Sequence, residues 1–363
     1  MSAKSAFVKA TSNPILLQHW LRTRMRPRSL PLLLPIVYPL AVAADWQASV
    51  ESYFHFTTDV SQFSASRRLS HDQDPTQPLI ESEFANKQDD FVYEPDIEIS
   101  NTFGTPWGEG DIGIKAEGLI FTENPRFTHP LVGIHFIHEL PLDSRLILRY
   151  TAIPDLYLGR NQIRPLPEEH SESVGDESSS LADEEVSTHF WSLGIGHRFS
   201  DRINARIYSR YGFRIYEKPF EQRDNHFWTI GIHTELEPIE HLQIVFGYHF
   251  ERSLSQGRHQ PELRDDTSYE NHFLTTELVY DLTEILGLEL GAHYERNNWT
   301  TDLQGDVRKG EHEDITQGEV GVYYRLFPKF RLMAEFQTAF RKESFEPKGE
   351  FSYNCSIGFQ WEL

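Results

Sequence analysis

The chain has 363 residues, 34 Lys and Arg against 55 Asp and Glu, a formal net charge of −21 and a single cysteine. So acidic a chain lacks the basic surface that neutralises phosphates, which argues against nucleic acid as a partner. The lone Cys355 excludes an intramolecular disulfide framework and a metal site built from several cysteines. Aromatic residues make up 13 % of the chain, which argues against a disordered acidic protein.

Residues 25–44 have the layout of a cleaved secretory signal peptide. Arg26 and Arg28 form a basic segment, residues 30–40 an apolar one, and residues 41–43 an A-x-A cleavage motif. The apolar run contains three prolines, and at about eleven residues it is too short for a membrane-spanning helix. We expect residues 1–44 to be removed, with Met25 as a possible true start and the cleavage signal formed by Ala41, Ala43 and Ala44.

From residue 45 onward the dominant pattern is alternation of apolar and polar residues, which predicts β-strands. Trp46, Val50 and Phe54 share one face of the first strand, and Glu51 and His55 share the other. The strands are about 10–15 residues long, whereas a membrane-spanning strand needs ~9–11 and soluble strands have about five or six. Fourteen are predicted: 46–60, 91–103, 111–121, 131–140, 146–157, 188–199, 203–216, 226–236, 242–251, 271–282, 287–296, 316–326, 330–341 and 351–363.

The connections between these strands alternate between short turns and longer polar loops. Both termini then fall at the short-turn end. Pro95 removes a ladder donor from the second strand, and residues 119–121 break the alternation in the third, where we expect a bulge or a register change. A shorter or shifted strand is the alternative for either. An even strand number with short turns on one side and long loops on the other is typical of outer-membrane barrels.

The last strand, FSYNCSIGFQWEL, is rich in alternating aromatic residues up to the C-terminus. With the strand pattern, it makes residues 46–363 resemble a bacterial outer-membrane β-barrel protein, although such proteins more often end in Phe or Trp than in a residue like Leu363. The resemblance implies an all-β, closed, up-and-down antiparallel transmembrane β-barrel of about 14 strands over residues 45–363. It also implies contact with the lipid bilayer and lipopolysaccharide, and recognition of the last strand by the barrel-assembly machinery. A soluble sandwich or propeller is the alternative.

In a barrel whose apolar face meets lipid, the opposite parity of each strand points inward. Arginines on the fifth to seventh strands should then form a basic wall, opposite a wall rich in acids and histidines. The candidate pore-lining residues are Arg149, Arg198, Arg206, Tyr208, Arg210, Arg214, Glu51, His55, His249, Glu251, Glu277, Glu289, His293 and Glu295.

The predicted barrel is wide enough for a pore. Fourteen strands give a backbone diameter of roughly 28 Å, and side chains would leave ~10–15 Å. We favour an open or loop-gated pore over an interior filled by paired charges. The acidic loop 158–187 is expected to be solvent-exposed; folding inward as a gate, or binding divalent cations, are the alternatives.

The function that this pattern favours is a porin-like channel for small polar or charged solutes, without cofactor, metal or covalent chemistry. An outer-membrane hydrolase is one alternative, with His189 and Ser209 as a lipase-type pair, or His259 with Asp265 and Asp266 as a protease-type cluster. A non-transporting structural barrel is the other. The His and acid clusters at 71–75 and 312–315 lack metal-site spacing and are expected to be loops.

Overall fold

The fold is known from a computed structural model that describes residues 45–60, 63, 89–163, 181–260, 265–304, 306, 308–345 and 347–363. The predicted signal peptide with Ala41, Ala43 and Ala44 lies outside these residues. The cluster at 71–75 and most of the acidic loop 158–187 also lie outside them. Within the described part, no helix is long and apolar enough to cross a membrane.

The chain forms a closed barrel of fourteen antiparallel strands in which each strand pairs with its neighbours in the sequence and β1 pairs with β14. This confirms the predicted fold class and strand number. The strands are β1 (Asp45–Thr57), β2 (Asp90–Thr105), β3 (Gly108–Phe121), β4 (His129–Leu140), β5 (Ser144–Gln162), β6 (Leu181–Ser200), β7 (Ile203–Tyr216), β8 (Asn225–Ile239), β9 (Leu242–Ser255), β10 (Tyr269–Asp281), β11 (Leu286–Trp299), β12 (His312–Phe327), β13 (Phe330–Glu343) and β14 (Glu350–Glu362).

The β5–β6 hairpin extends further than predicted, up to Gln162 and from Leu181. Its ladder continues through bulges beside Asp155 and Gly159, which both have positive φ. The cluster at 312–315 likewise begins β12 and is not a loop. Alternation ends where a strand leaves the apolar zone, but backbone pairing continues, so the sequence pattern underestimates these strands.

The region around Pro95 contains neither a bulge nor a register change. The β2–β3 pairing is interrupted between Tyr93 and Asp96, and the register is the same on both sides of the gap. Leu119 and Phe121 keep their parity and face inward, where they pack against Phe63. The predicted irregularity was therefore wrong, because an apolar cluster inside the barrel accounts for the extra apolar residues.

The outer face of the barrel is apolar. Trp191, Leu193 and Ile195 alternate as exposed residues along β6, and Cys355 is exposed on β14. On this face, near the long loops, four consecutive hairpins each have a hydrogen-bonded polar pair. In every pair the second residue lies two positions from the direct ladder partner of the tyrosine. The pairs are Tyr150 with His189, Tyr211 with His226, Tyr248 with His272, and Tyr294 with Asp314.

Candidate functional site in the barrel interior

All fourteen predicted pore-lining residues point into the barrel. On β7 the side chains of Tyr208, Arg210 and Arg214 are buried and alternate with the exposed Ile207 and Tyr211. The other candidates occupy the inward-facing positions of β1, β5, β6, β9, β10 and β11 in the same alternating pattern. Their role in conduction stays a prediction.

The half of the interior nearest the long loops is filled by side chains. Arg210 and Arg214 are each 1 % exposed, and Glu251 is fully buried. Phe190 and Phe227 pack edge to face in this half. The open lumen that we favoured from the strand number is therefore not found there, because long polar and aromatic side chains from several strands meet across it.

Hydrogen bonds join the charged groups of this filled half. Arg214 Nη1 donates to the Tyr269 hydroxyl at 2.6 Å, and that hydroxyl donates to Glu251 Oε1 at 2.7 Å. Thr229 donates to the other Glu251 oxygen at 2.7 Å. Residues of β7, β8, β9 and β10 therefore share one carboxylate, which offsets part of the cost of burying it.

Tyr208 forms the floor of the filled half. It lies on β7 between Arg206 and Arg210, and both guanidinium groups stack on its ring, at 5.6 and 5.0 Å from the centroid. Its hydroxyl lies 3.0 Å from His249 Nδ1. Gly231 on β8 leaves the space that the ring occupies.

The predicted acidic wall is interrupted by a buried cation. Lys115 on β3 contacts Asp96 at 2.5 Å and Glu117 at 3.2 Å, and nearby His55 contacts Glu94 at 2.8 Å. Our sequence reasoning overlooked Lys115, although it has the same parity as Glu117. The wall is therefore not uniformly negative, because Lys115 lies among its carboxylates.

The other end of the barrel contains a cavity of about 880 Å³, which we call the vestibule. Two of its cations have local partners: Arg198 contacts Asp201 at 2.8 Å, and Arg325 donates to the Glu284 carbonyl at 2.6 Å. The vestibule lies at the short-turn end, and cations and carboxylates both line it. The cations are Arg145, Arg149, Arg198, Arg206, Arg325, Lys329 and Arg331, and the carboxylates are those of Glu139, Asp143, Asp201, Glu235, Glu237, Asp281, Glu284 and Glu362.

Arginines from β5 and β7 approach each other across β6. Gly196 is the ladder partner of both Arg145 and Arg206, and Ser192 is the partner of both Arg149 and Arg210. Since β6 has small inward residues at these positions, the longer side chains on either side can converge above it. Our sequence reasoning assigned Arg145 to the turn 141–145 and therefore missed it; its shared parity with Arg149 was the available signal.

A second charged cluster joins three loops at the long-loop end. Asp265 accepts from Arg223 Nε at 2.7 Å and from Arg308 Nη2 at 3.2 Å, and Arg223 also contacts Glu184 at 2.7 Å. Burial tends to raise the pKa of Asp265, but the two guanidinium groups outweigh it and hold that pKa well below its usual range. The cluster covers the filled half.

The candidate hydrolase residues are not brought together. Asp265 accepts hydrogen bonds from its arginines, and Asp266 accepts from Ser255 and Ser268. His259 is exposed and contacts neither carboxylate. Ser209 on β7 pairs with Leu193 on β6. His189 lies four residues away from Leu193 along β6, so Ser209 and His189 are separated by about 13 Å along the strands.

The described residues contain no group of three or more His, Cys, Asp or Glu side chains able to hold a metal ion. No protein-family model matches the sequence, and no curated protein matches it.

Solved structures of outer-membrane proteins are similar to this one. The outer membrane channel DcaP of Acinetobacter baumannii matches with a TM-score of 0.50 at 9 % identity, covering 90 % of this chain and 99 % of that chain. An anion-selective porin from Comamonas acidovorans matches with a TM-score of 0.45 at 8 % identity, covering 88 % and 99 %. A loop-deletion mutant of OmpT, an outer membrane protein of Vibrio cholerae, matches at 0.43 and 12 %, covering 89 % and 100 %.

At 9 % identity, the similarity to the DcaP channel bears on the fold alone. A closed, up-and-down barrel with an apolar outer face and a charged interior is the fold of bacterial outer-membrane β-barrel proteins, as the resemblance implied.

Proposed function

We propose that this chain is a porin-like outer-membrane channel for small polar or charged solutes, with its path closed in the half nearest the long loops. The observation that carries the proposal is the charged interior, which continues from the vestibule past Arg206 and Arg210 to Glu251. Burying this many ionisable groups is costly, and a barrel that needed only rigidity would be served as well by apolar packing.

The proposed path begins at the vestibule and is blocked at the level of Tyr208. A solute would pass when the polar side chains above Tyr208 exchange their mutual contacts for contacts with water. Such an exchange costs less in a polar interior than in an apolar core, because each freed donor or acceptor finds a water partner. The channel is therefore expected to open and close in steps.

Single-channel recording of the refolded mature chain in a planar bilayer tests this proposal. We expect stepwise currents, with a reversal potential in a salt gradient that shows anion preference. Replacing both Arg206 and Arg210 by glutamine should shift that preference towards cations. A barrel that folds, as shown by heat-dependent migration on a gel, but remains silent across the voltage range would overturn the channel proposal.

The proposal includes export and insertion. The signal peptide over residues 1–44 and the aromatic β14 support delivery to the outer membrane and recognition by the barrel-assembly machinery, where the chain would meet lipopolysaccharide. N-terminal sequencing of protein from isolated outer membranes tests this: a start at Ala44 or Asp45 is expected, and an intact N-terminus or a cytoplasmic location would contradict it.

A further inference from the structure

Two arginine side chains in the vestibule make neither a hydrogen bond nor a close ion pair. Within the part of the chain that the structure describes, these are the side chains of Arg145 and Arg206, and Arg206 Nε is buried without a hydrogen-bond partner. Arg206 has only the face of Tyr208. This contrasts with Arg198 and Arg325 in the same cavity, which both have oxygen partners.

The two side chains belong to one row across three strands. Arg145, Gly196 and Arg206 are successive ladder partners on β5, β6 and β7, so the two Cα atoms are about 10 Å apart. The Arg145 side chain lies over Gly196, with its Nε 3.0 Å from where a β-carbon would be. Both guanidinium groups can therefore reach one small molecule between them.

A third guanidinium group completes the arrangement. Arg149 is 7 % exposed, lines the vestibule, and lies close enough to Arg145, Arg206 and Arg210 for their charges to interact. Of the carboxylates, Glu98 acts on Arg149 and Glu139 acts on Arg145. Glu235 is a further carboxylate in the lining of the cavity. Because Arg149 is repelled by Arg145, Arg206 and Arg210, an anion bound between these side chains would relieve that repulsion.

We propose that Arg145, Arg149 and Arg206 form a binding site for small oxyanions with phosphate or carboxylate groups, open at the short-turn end of the barrel. The planar guanidinium fork matches the paired oxygens of phosphate and carboxylate, which a spherical ion such as chloride does not offer. A cavity of about 880 Å³ admits a small organic anion as well as phosphate itself.

This site deepens the proposed function by naming the solute class, and its role in transport rests on that function. Binding itself needs no open path, because the vestibule is accessible while the half above Tyr208 is filled. In outer-membrane barrels the short turns face the periplasm. The site therefore receives anions from the periplasmic side.

Isothermal titration of the refolded barrel, residues 45–363 in detergent at low ionic strength, tests the site. Inorganic phosphate, succinate and chloride are titrated in separate arms. We expect saturable binding of phosphate or succinate, and weaker binding of chloride. Which of the two oxyanions binds more tightly distinguishes a phosphorylated solute from a dicarboxylate.

Single replacements locate the binding. Arg145→Gln and Arg206→Gln should each weaken oxyanion binding by about ten- to a hundredfold, as expected for loss of a charged hydrogen-bond donor. Arg206→Lys should recover part of the loss, because it restores the charge but not the fork. Arg325→Gln is the matched control: it removes a vestibule arginine outside the site and should leave the affinity unchanged.

The outcomes separate this inference from the channel proposal. A silent barrel that binds phosphate through Arg145 and Arg206 overturns the channel but supports the site. The site is overturned if neither phosphate nor succinate binds. It is also overturned if Arg325→Gln weakens binding as much as Arg145→Gln and Arg206→Gln do, because that result would indicate a diffuse ion atmosphere. Each variant is first shown to migrate as a folded barrel. If a glutamine variant does not fold, the affinity of Arg206→Lys for the oxyanions tests the site instead.

Discussion

Arg145 Nε lies 3.0 Å from the position that a β-carbon on Gly196 would occupy. The glycine faces this arginine on one side of β6 and Arg206 on the other. A single small residue on the middle strand therefore determines how closely the two arginines can approach.

Gly196→Ala should weaken oxyanion binding in the vestibule. The new methyl group would push the Arg145 side chain from its position, and a displaced rotamer of this kind lowers affinity by about two- to tenfold. Titration of phosphate into the folded variant measures the effect. Gly194→Ala is the matched control, because a β-carbon there meets only ordinary contacts of 3.5 Å or more; equal losses in both variants would contradict the explanation.

Tyr208→Ala should open the barrel. Its ring separates the vestibule from the filled half and contacts His249 and Arg210, so its removal joins the two regions. We expect a higher single-channel conductance in a planar bilayer. Tyr211→Ala, on the outer face of the same strand, should leave conductance as it was; no change in the Tyr208 variant would show that the block lies elsewhere.

Asp265→Asn should destabilise the loops over the long-loop end. The change removes the carboxylate that Arg223 and Arg308 share, while Arg223 keeps Glu184 and Arg308 keeps Asp306. We expect a loss of about 1–3 kcal/mol in free energy of unfolding, as for a buried donor that loses one partner. Urea unfolding in lipid vesicles measures the loss. Asp183→Asn breaks exposed ion pairs with Arg126 and Arg160 and keeps an amide oxygen that can accept from the Tyr157 hydroxyl. It should cost less than about 1 kcal/mol; equal costs in the two variants would mean that the buried cluster has no special role.

The same aspartate should make the barrel sensitive to acid. Burial tends to raise the pKa of Asp265, but Arg223 and Arg308 hold it below the usual range. Its contribution to the free energy of unfolding is therefore present above about pH 4, the pKa of an unfolded aspartate, and is lost as the pH falls towards the folded pKa. Unfolding from pH 7 to pH 2 should show this dependence in the parent chain and a weaker one in Asp265→Asn.

Asp224 should have the opposite pH dependence. Burial raises its pKa to about 6, helped by Glu221 and Glu217 and opposed by the Tyr216 N–H, which donates to its carboxylate at 2.7 Å. The folded state is then favoured below about pH 4 and loses this advantage as the pH rises through the folded value.

Asp224→Asn tests this, because the amide oxygen still accepts from Tyr216 while the charge is gone. At pH 8 we expect the variant to be more stable than the parent by about 1 kcal/mol, discounted for the partial exposure of the side chain, and at pH 4 we expect no difference. A difference that does not change with pH would attribute the effect to something other than ionisation.

Strand number and inward parity could be predicted because a period of two is a local property of the chain. The side chains of Glu51 and His55 alternate with Phe54 regardless of what lies across the barrel. The filled half could not be predicted in this way. Tyr208 meets His249 from two strands away, and such a contact depends on strand tilt and on where Gly231 leaves room.

Arg145 illustrates the same limit at a strand end. Its neighbours in the sequence indicate a turn, whereas its pairing with Glu139 and Gly196 places it inside the barrel. The Asp265 cluster is similar, because its arginines come from loops 42 and 43 residues away along the chain.

The amino-acid sequence by itself determined that this chain forms a membrane barrel of fourteen strands with an apolar outside and a charged inside, because lipid imposes that alternation on every strand. Only the tertiary structure decided that half of the interior is filled and that Arg145 and Arg206 converge across Gly196. The shear of the closed barrel selects which inward side chains meet, and no single strand carries that information.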